Sequence, residues 1–201
     1  MFIGIDPSLS ETAVTIMISP TKYQFYTFQG VGVDSLNKII YLHGQIKKLL
    51  ENYYTVLKQV SNQLPSTSLC FIEGGAFHGS GRLFTLGQLS GIILAELTNL
   101  KISFKEIPPS LVKEFITGKG MADKKYILKK IKEKYNISIK DDNDNIADSY
   151  VLALMAYRYG SDKHKEDITF REELEVVTKL KHGPKKVHKT NYQRRKKELL
   201  F

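Results

Sequence analysis

Four acidic residues of this chain occupy positions from which their carboxylates could act together. Asp6 and Glu73 each end a short apolar run that is typical of a buried strand. Asp144 and Asp148 lie four residues apart at the start of a predicted helix, so they share one helical face. If the two strands adjoin and the helix crosses them, the carboxylates would share one site. Carboxylates are the ligands that Mg²⁺ and Mn²⁺ prefer.

A cluster of this kind is suited to hydrolysing a phosphodiester bond. It would hold two divalent ions about 4 Å apart, one activating a water molecule and the other stabilising the leaving oxygen. Each acid also has an ordinary structural explanation. Asp6 can cap the turn at Pro7, and Asp144 with Asp148 can form a polar helix start. The five histidines lack the spacing of metal ligands, and none lies beside a nucleophile motif.

The composition is that of a globular protein of 201 residues, long enough for one domain with appendages. Cys70 is the only cysteine, which excludes a disulfide framework and a cysteine-based zinc site within one chain. No signal sequence is recognisable, and no apolar run approaches the ~18 residues that a membrane span needs. We therefore expect a cytoplasmic protein that is neither secreted nor embedded in a membrane.

Positive charge is concentrated in residues 179–201. The chain has a formal net charge of +9, and this segment holds nine Lys and Arg residues against Glu198, a net of +8. That distribution predicts a polyanionic partner, most simply nucleic acid, with the segment acting as a disordered DNA-binding tail. Its DNA-binding candidates are Lys185, Lys186, Arg194 and Arg195. The alternative is a solvated tail that only aids solubility.

The order of predicted elements indicates an α/β fold with a mixed central sheet flanked by helices. Strands are predicted at 1–6, 12–18, 25–33, 69–73 and 102–107. Helices are predicted at 34–63, 83–100, 111–116, 123–135 and 145–159. Three regions follow from this reading of the chain. They are a domain at 1–160, a mixed connecting segment at 161–178 that is at most partly helical, and the tail at 179–201.

Three glycines within these elements predict that other structures pack closely against them. Gly4 lies inside the first strand, where the missing side chain would let another backbone approach. Gly87 and Gly91 lie four residues apart on one face of a predicted helix. Their spacing predicts contact with another element of the chain or with a second subunit.

Six short motifs occur in order over residues 1–160. They are Gly4-Ile-Asp6-Pro-Ser8, Phe71-Ile-Glu73, Leu86-Gly-Gln-Leu-Ser-Gly91, Pro109-Ser-Leu-Val-Lys113, Gly118-Lys-Gly-Met-Ala-Asp-Lys124 and Asn145-Ile-Ala-Asp148-Ser149. Each motif is weak alone, but the Leu-Gly-Gln-x-x-Gly run and the lysines that end the fourth and fifth motifs make the set specific. The set resembles the RuvC-like Holliday junction resolvases of the ribonuclease H-like superfamily, including those of phages and viruses.

The resemblance implies a ribonuclease H-like fold and a metal-dependent endonuclease that cuts four-way or otherwise branched DNA junctions. It also implies a homodimer, because paired nicks by two active sites suit a twofold-related junction. The implied cofactor is Mg²⁺ or Mn²⁺, with two ions per site. The implied metal ligands are Asp6, Glu73 and Asp148, and the implied catalytic residues are these acids together with Lys124.

The resemblance also indicates residues that contact DNA. Lys113 and Lys124 match family lysines close to the scissile phosphate, where they would neutralise charge. The alternative is that they are ordinary surface lysines. Phe77 lies in a glycine-rich loop and would either stack on an unpaired base, a contact worth about 1–3 kcal/mol, or fold back under its own loop. Arg82, from the same loop, is a candidate phosphate contact.

The chain departs from the family pattern at Asn145. The family usually has a metal-binding acid, or sometimes a histidine, three residues before the final aspartate, here Asp148. Three explanations remain open: Asp144 supplies the ligand from one residue earlier, the site binds one ion weakly, or the asparagine is an inactivating substitution.

Other functions are also compatible with the sequence. One is a related nuclease acting on other branched DNA, such as a phage debranching endonuclease. Another is a protein that binds junctions without cutting them, as Asn145 would permit. A third is an actin-like ATPase, since Gly4-Ile-Asp6 followed by Ser and Thr also suits a phosphate loop. No second nucleotide-binding signature supports the ATPase.

Overall fold

Five strands form one mixed sheet in the computed structural model, which describes residues 1–61, 68–74, 82–160 and 170–183. The strands are β1 (Phe2–Asp6), β2 (Glu11–Ser19), β3 (Lys22–Gln29), β4 (Leu69–Glu73) and β5 (Ser103–Ile107). Their order across the sheet is β3-β2-β1-β4-β5. The first three strands form an antiparallel meander, and β4 and β5 continue the sheet parallel to β1.

Helices cover both faces of this sheet. They are α1 (Ser35–Ser61), α2 (Arg82–Asn99), α3 (Pro109–Thr117), α4 (Lys124–Tyr135), α5 (Asp144–Gly160) and α6 (Arg171–His182). A 3₁₀ turn, Lys140–Asp142, precedes α5. One apolar cluster packs α1 and α2 on one face, and a second packs α3 to α6 on the other. The predicted α/β fold with a mixed sheet is confirmed.

The third strand begins and ends earlier than predicted. It spans Lys22–Gln29 rather than 25–33, because a tight turn follows β2 and the antiparallel pairing starts at once, with Ser19 opposite Lys22. The pairing ends with Gln29 opposite Glu11, and the next residue is held by a bond from the Gly30 amide to the Ser10 carbonyl oxygen. The length of β2 therefore sets the length of β3.

Helix α6 is a regular helix where the sequence indicated at most partial helix. It spans Arg171–His182 and so crosses 178/179, the point at which the tail was predicted to begin. Val176 and Val177 are buried, and Lys179 forms an ion pair with Glu114 of α3. The first part of the basic segment is therefore packed on the domain, whereas residues 184–201 lie outside the described part of the chain.

Helix α5 crosses β1 at very short distance, as the glycine at position 4 predicted. A Cβ atom at Gly4 would overlap the Ser149 carbonyl oxygen and the Ala153 amide nitrogen. Beside this crossing, the hydroxyl groups of Thr15 and Ser149 share a buried hydrogen bond of 2.8 Å. The crossing fixes the first turns of α5 over the carboxyl end of β1.

The outer surface of α2 carries the two helical glycines. A Cβ atom at Gly87 or Gly91 would meet nothing within 4 Å, so no described element of this chain packs there. Contact with a second subunit remains the prediction for this face. Across the described ranges, no helix combines the length and the apolar character required to cross a membrane.

Candidate active site

Asp6 and Glu73 lie side by side at the carboxyl ends of two parallel strands. The register pairs Ile5 of β1 with Ile72 of β4, so the acid that follows each of them is brought to the same edge of the sheet. Their carboxyl groups are hydrogen-bonded to each other. Two carboxyl groups in such contact must share a proton unless a cation replaces it.

Burial keeps both acids from ionising in the ordinary range, and repulsion by neighbouring acids adds to this effect at Asp6. Asp6 is only 6% exposed, and burial together with the charges of Glu73 and Asp148 raises its pKa from 3.8 to about 9. Burial also raises the pKa of Glu73, although the hydrogen bond from Asp6 and the charge of Lys113 oppose that rise. Once Asp6 and Glu73 lose their protons, the site therefore carries an unbalanced negative charge.

Asp148 joins this pair from α5. Burial, then the charge of Glu73, raises the pKa of Asp148 to about 7, with Asp144 adding to the rise and Lys113 and Lys124 opposing it. Asp148 also contributes to the raised pKa of Asp6. Three carboxylates from three separate elements therefore act on one another, which is the convergence that the sequence predicted.

A cavity of about 200 Å³ opens in front of Glu73 and Asp148. Its walls combine acids from β4 and α5 with lysines from α3 and α4. The lining residues are Glu73, Pro109, Lys113, Lys124, Ile127, Asp144, Ala147 and Asp148. Positive charge beside acidic groups is the arrangement required to hold a phosphate next to a metal ion.

Asp144 is bound to a lysine in this structure. The ammonium group of Lys124 donates to Asp144 Oδ2 at 2.6 Å, and this bond raises the pKa of Lys124. Lys124 begins α4 just after Asp123, whose side chain caps the helix by accepting from the Tyr126 amide at 2.8 Å. The cap holds the first turn of α4 at the cavity. Asp144 lies on the cavity wall, where the ion pair with Lys124 neutralises its charge.

The donor set suits a hard divalent cation, although it is not preformed. Within the four described ranges, no three acidic, histidine or cysteine side chains are close enough to coordinate an ion as they stand. The charge of Glu73 nevertheless raises the cost of ionising Asp6 and Asp148, and a cation would relieve that cost. All available donors are carboxylate oxygens, as Mg²⁺ and Mn²⁺ require.

Asn145 does not line the cavity with its neighbours Asp144 and Asp148. Its side-chain amide instead donates to the backbone carbonyl oxygen of Glu11, at 3.1 Å, and to Glu11 Oε1, at 3.5 Å. The sequence reasoning missed Glu11. The available signal was its position at the start of the second strand, five residues after Asp6.

Several predicted DNA-binding residues cannot be placed. Phe77 lies outside the described residues. So do the four DNA-binding candidates of the tail, which are Lys185, Lys186, Arg194 and Arg195. Arg82 is the first residue of α2, but its side chain is also outside the described part. Lys113 and Lys124 are the predicted DNA contacts that the structure brings to the cavity.

The sheet order, the crossing helix and the acidic strand ends define a protein of the ribonuclease H-like class. Two solved structures of Thermus thermophilus RuvC share this fold. One, described only as the RuvC structure, has a TM-score of 0.57 at 15% identity and covers 78% of this chain and 93% of its own. The structure in complex with Holliday junction substrate has a TM-score of 0.58 at 15% identity, covering 77% and 92%.

Sequence comparison extends this class to a family. The family described as crossover junction endodeoxyribonuclease RuvC matches residues 2–156. The RuvC of Wolbachia pipientis wMel is 30% identical over 172 residues, covering 79% of this chain and 95% of that protein. The RuvC of Thermosipho melanesiensis is 27% identical over 153 residues, covering 75% of this chain and 92% of that protein. The chain belongs to the RuvC family of crossover junction endodeoxyribonucleases, as its motifs predicted.

Proposed function

We propose that the cavity between β4, α3, α4 and α5 is the catalytic centre of a structure-selective endonuclease that resolves four-way DNA junctions. The observation that carries this proposal is the convergence of Asp6, Glu73 and Asp148. Family membership supports the substrate, since the family is named for cutting crossover junctions. The lysine-lined cavity supports binding of the scissile phosphate.

Divalent-metal dependence is a property of this family, and we assign Mg²⁺ or Mn²⁺ to this chain, with two ions per site. Asp6, Glu73 and Asp148 would hold them, and Asp144 would become a further ligand once Lys124 releases it. A bound ion supplies Lewis acidity, which lowers the pKa of a water molecule and neutralises charge on the phosphate. The raised pKa values of Asp6 and Asp148 mean that these ligands lose protons when the cation binds.

The lysines of the cavity act on the phosphate itself. Lys113 lines the cavity from α3 and Lys124 lines it from α4. A phosphate in the cavity would therefore lie near two ammonium groups. Their positive charge offsets the negative charge that grows on the phosphate in the transition state. Transfer of Lys124 from Asp144 to the phosphate would free Asp144 at the moment when substrate binds.

A homodimer would make the nicks symmetric. Two copies related by a twofold axis would present two equivalent cavities to strands of like polarity. The uncovered glycine face of α2 supports such an interface, since backbones can approach closely where no side chain intervenes. The basic residues of 184–201 would add affinity for the arms of the junction without choosing the cleavage point.

A panel of synthetic DNAs tests the proposed function. End-labelled four-way, three-way and flap substrates are incubated with Mg²⁺ and either the parent chain or Asp6→Asn. We expect the parent to make paired nicks in the four-way junction faster than it cuts the others, and the variant to bind without cutting. Preferred cutting of three-way DNA would favour a debranching nuclease instead.

Asn145 supports a second candidate function, a protein that binds junctions without cutting them. Calorimetric titration with Mn²⁺ separates the two. A competent site binds the ion stoichiometrically without DNA, and Asp6→Asn loses that binding. A parent chain that binds four-way DNA but takes up no Mn²⁺ and cuts nothing would establish the second function.

A further inference from the structure

Glu11 is the meeting point of three side-chain amides. Asn143 Nδ2 donates to Glu11 Oε1 at 2.6 Å, and Asn145 donates to both the backbone carbonyl and Oε1 of the same residue. Gln29, its partner on β3, donates to Oε2. Both carboxylate oxygens of Glu11 therefore have amide donors, and two of the three donors come from the start of α5.

Glu11 lies on the same face of the sheet as the catalytic acids. The register places Ala13 opposite Asp6, and Glu11 is two residues from Ala13 along β2, so their side chains project from one face. Thr15, two residues further on, projects from that face as well, where it bonds to Ser149 of α5. One edge of α5 is thus attached to β2 at two points, Glu11 and Thr15.

The Asn143 end of this contact also determines where α5 begins. Asn143 Oδ1 accepts from the Ile146 amide at 3.0 Å, which caps the helix, while its Nδ2 holds Glu11. A shift of Glu11 would therefore move both the cap and Asn145. Asp148 is one helical turn after Asp144, so its carboxylate follows any movement of this first turn.

We propose that Glu11 and Asn145 are a matched pair of positioning residues that fix the start of α5 on β2 and so hold Asp148 against Asp6 and Glu73. This inference rests on the proposed function in one respect, that Asp148 is a metal ligand. Asn145 is then not a degraded ligand. An amide is required at this position because the group facing it is a carbonyl oxygen and a carboxylate, both of which accept hydrogen bonds.

The matched pair predicts that an aspartate is unfavourable at position 145. An aspartate there would restore the acid that the family usually has, yet it would lose both donated bonds and face the carboxylate of Glu11. Like charges in that contact are unfavourable, and the start of α5 would be displaced. A glutamine at position 11 could donate to the new aspartate and relieve the repulsion.

A double-substitution cycle tests this pairing. Asn145→Asp, Glu11→Gln and the double variant are compared with the parent by thermal unfolding without metal and by the Mg²⁺ concentration that gives half-maximal junction cleavage. We expect Asn145→Asp to lower Tm and to raise the required Mg²⁺ about tenfold or more, the size typical of lost support around metal ligands. The double variant should recover part of both losses, because a glutamine side chain can replace the contact with the Glu11 carboxylate but not the bond to the backbone carbonyl oxygen.

The matched control is Asn37→Asp, the same chemical change at an exposed site of α1 where the amide donates to the Asp34 carboxylate. This control should leave the Mg²⁺ requirement unchanged. If position 145 served folding alone, Asn145→Asp would lower Tm but would not change the Mg²⁺ requirement. Faster cleavage by Asn145→Asp at low Mg²⁺ would overturn the proposal, because position 145 would then face the metal. Additive effects at 11 and 145 would overturn it as well.

Failure of the proposed function gives a different result. A parent chain that cuts no branched DNA contradicts the function, and the unfolding cycle then decides the pairing by itself. Coupling between positions 11 and 145 in Tm supports the matched pair, and its absence overturns it.

Discussion

The carboxyl groups of Asp6 and Glu73 are hydrogen-bonded to each other across the parallel strands β1 and β4. In a metal-free protein this contact requires a proton. Burial, then the charges of Glu73 and Asp148, then this hydrogen bond raise the pKa of Asp6 to about 9. Ionisation of Asp6 is therefore unfavourable in the folded, metal-free protein. Its stability should depend on pH and on cations in a way that can be measured.

The metal-free protein should be more stable at pH 5 than at pH 8. The pKa of Asp6 rises from 3.8 in the unfolded chain to about 9 in the folded one, so the folded state binds the extra proton. Stability therefore falls as pH increases through this window. Thermal unfolding in a metal chelator measures the difference, and Asp6→Asn should be more stable than the parent at pH 8 by more than about 1 kcal/mol. Equal stability of parent and variant at both pH values would contradict the raised pKa.

Binding of Mn²⁺ should strengthen as the pH is raised from 6 to 8. Asp148, whose pKa is raised to about 7, and Asp6 must both lose protons before they can act as ligands. Calorimetry in two buffers of different ionisation enthalpy measures the protons released. Release of fewer than one proton per ion at pH 6 would show that these acids are not the ligands.

Lys124→Ala should lower the cleavage rate far more than it lowers stability. The Lys124–Asp144 pair is on the surface, with the lysine side chain 70% exposed, so its loss should cost less than about 1 kcal/mol. Loss of charge stabilisation at the phosphate should reduce cleavage about 10²-fold. Lys130→Ala, on the same helix and paired with Glu133, is the control and should cleave at nearly the parental rate. Equal rates for the two variants would remove Lys124 from the site.

Glu173→Ala should destabilise the protein severely. Glu173 lies on the buried face of α6, where it is near Arg158 and Lys134 and accepts a hydrogen bond from Tyr135. Removing one partner from a buried ionic group costs about 3–5 kcal/mol. Here Arg158 would lose its nearby carboxylate and Tyr135 its acceptor, whereas Lys134 would keep Glu172. Chemical denaturation measures the loss. Glu175→Ala, an exposed acid two residues later, is the control and should change the free energy of unfolding by less than about 1 kcal/mol.

Removal of residues 184–201 should flatten the salt dependence of junction binding. This truncation preserves α6 and deletes seven Lys and Arg residues with one Glu. Each phosphate contact that is lost should reduce the slope of log K against log salt by about 0.9. The positions of the nicks should not change, because the cavity residues remain. A slope equal to that of the full chain would show that the tail does not bind DNA.

The sequence was sufficient to find the acids but not all of their surroundings. Asp6 and Glu73 were recognisable because each ends an apolar strand, and Gly4 predicted the close crossing of α5. Their adjacency depended on strand order, which local patterns do not determine. The contact of Glu11 with Asn145 joins residues 134 positions apart, and it exists only because α5 crosses the hairpin.

Helix α6 was missed for a different physical reason. Its apolar residues are few and half of its side chains are charged, and its buried Glu173 is an acid where the pattern requires an apolar residue. The usable signal was electrostatic: acids lie in its first turn and basic residues in its last, as the helix dipole favours. Ionic burial of this kind depends on tertiary partners that a single segment does not reveal.

The location of bound metal tests the central claim most directly. A crystal of the protein soaked in Mn²⁺ gives an anomalous difference map in which the ion is identified without reference to activity. We expect peaks at coordination distance from the carboxylates of Asp6, Glu73 and Asp148, and no such peaks in Asp6→Asn. Peaks elsewhere, or an empty cavity in the parent at saturating Mn²⁺, would contradict the assignment of these acids as the metal site.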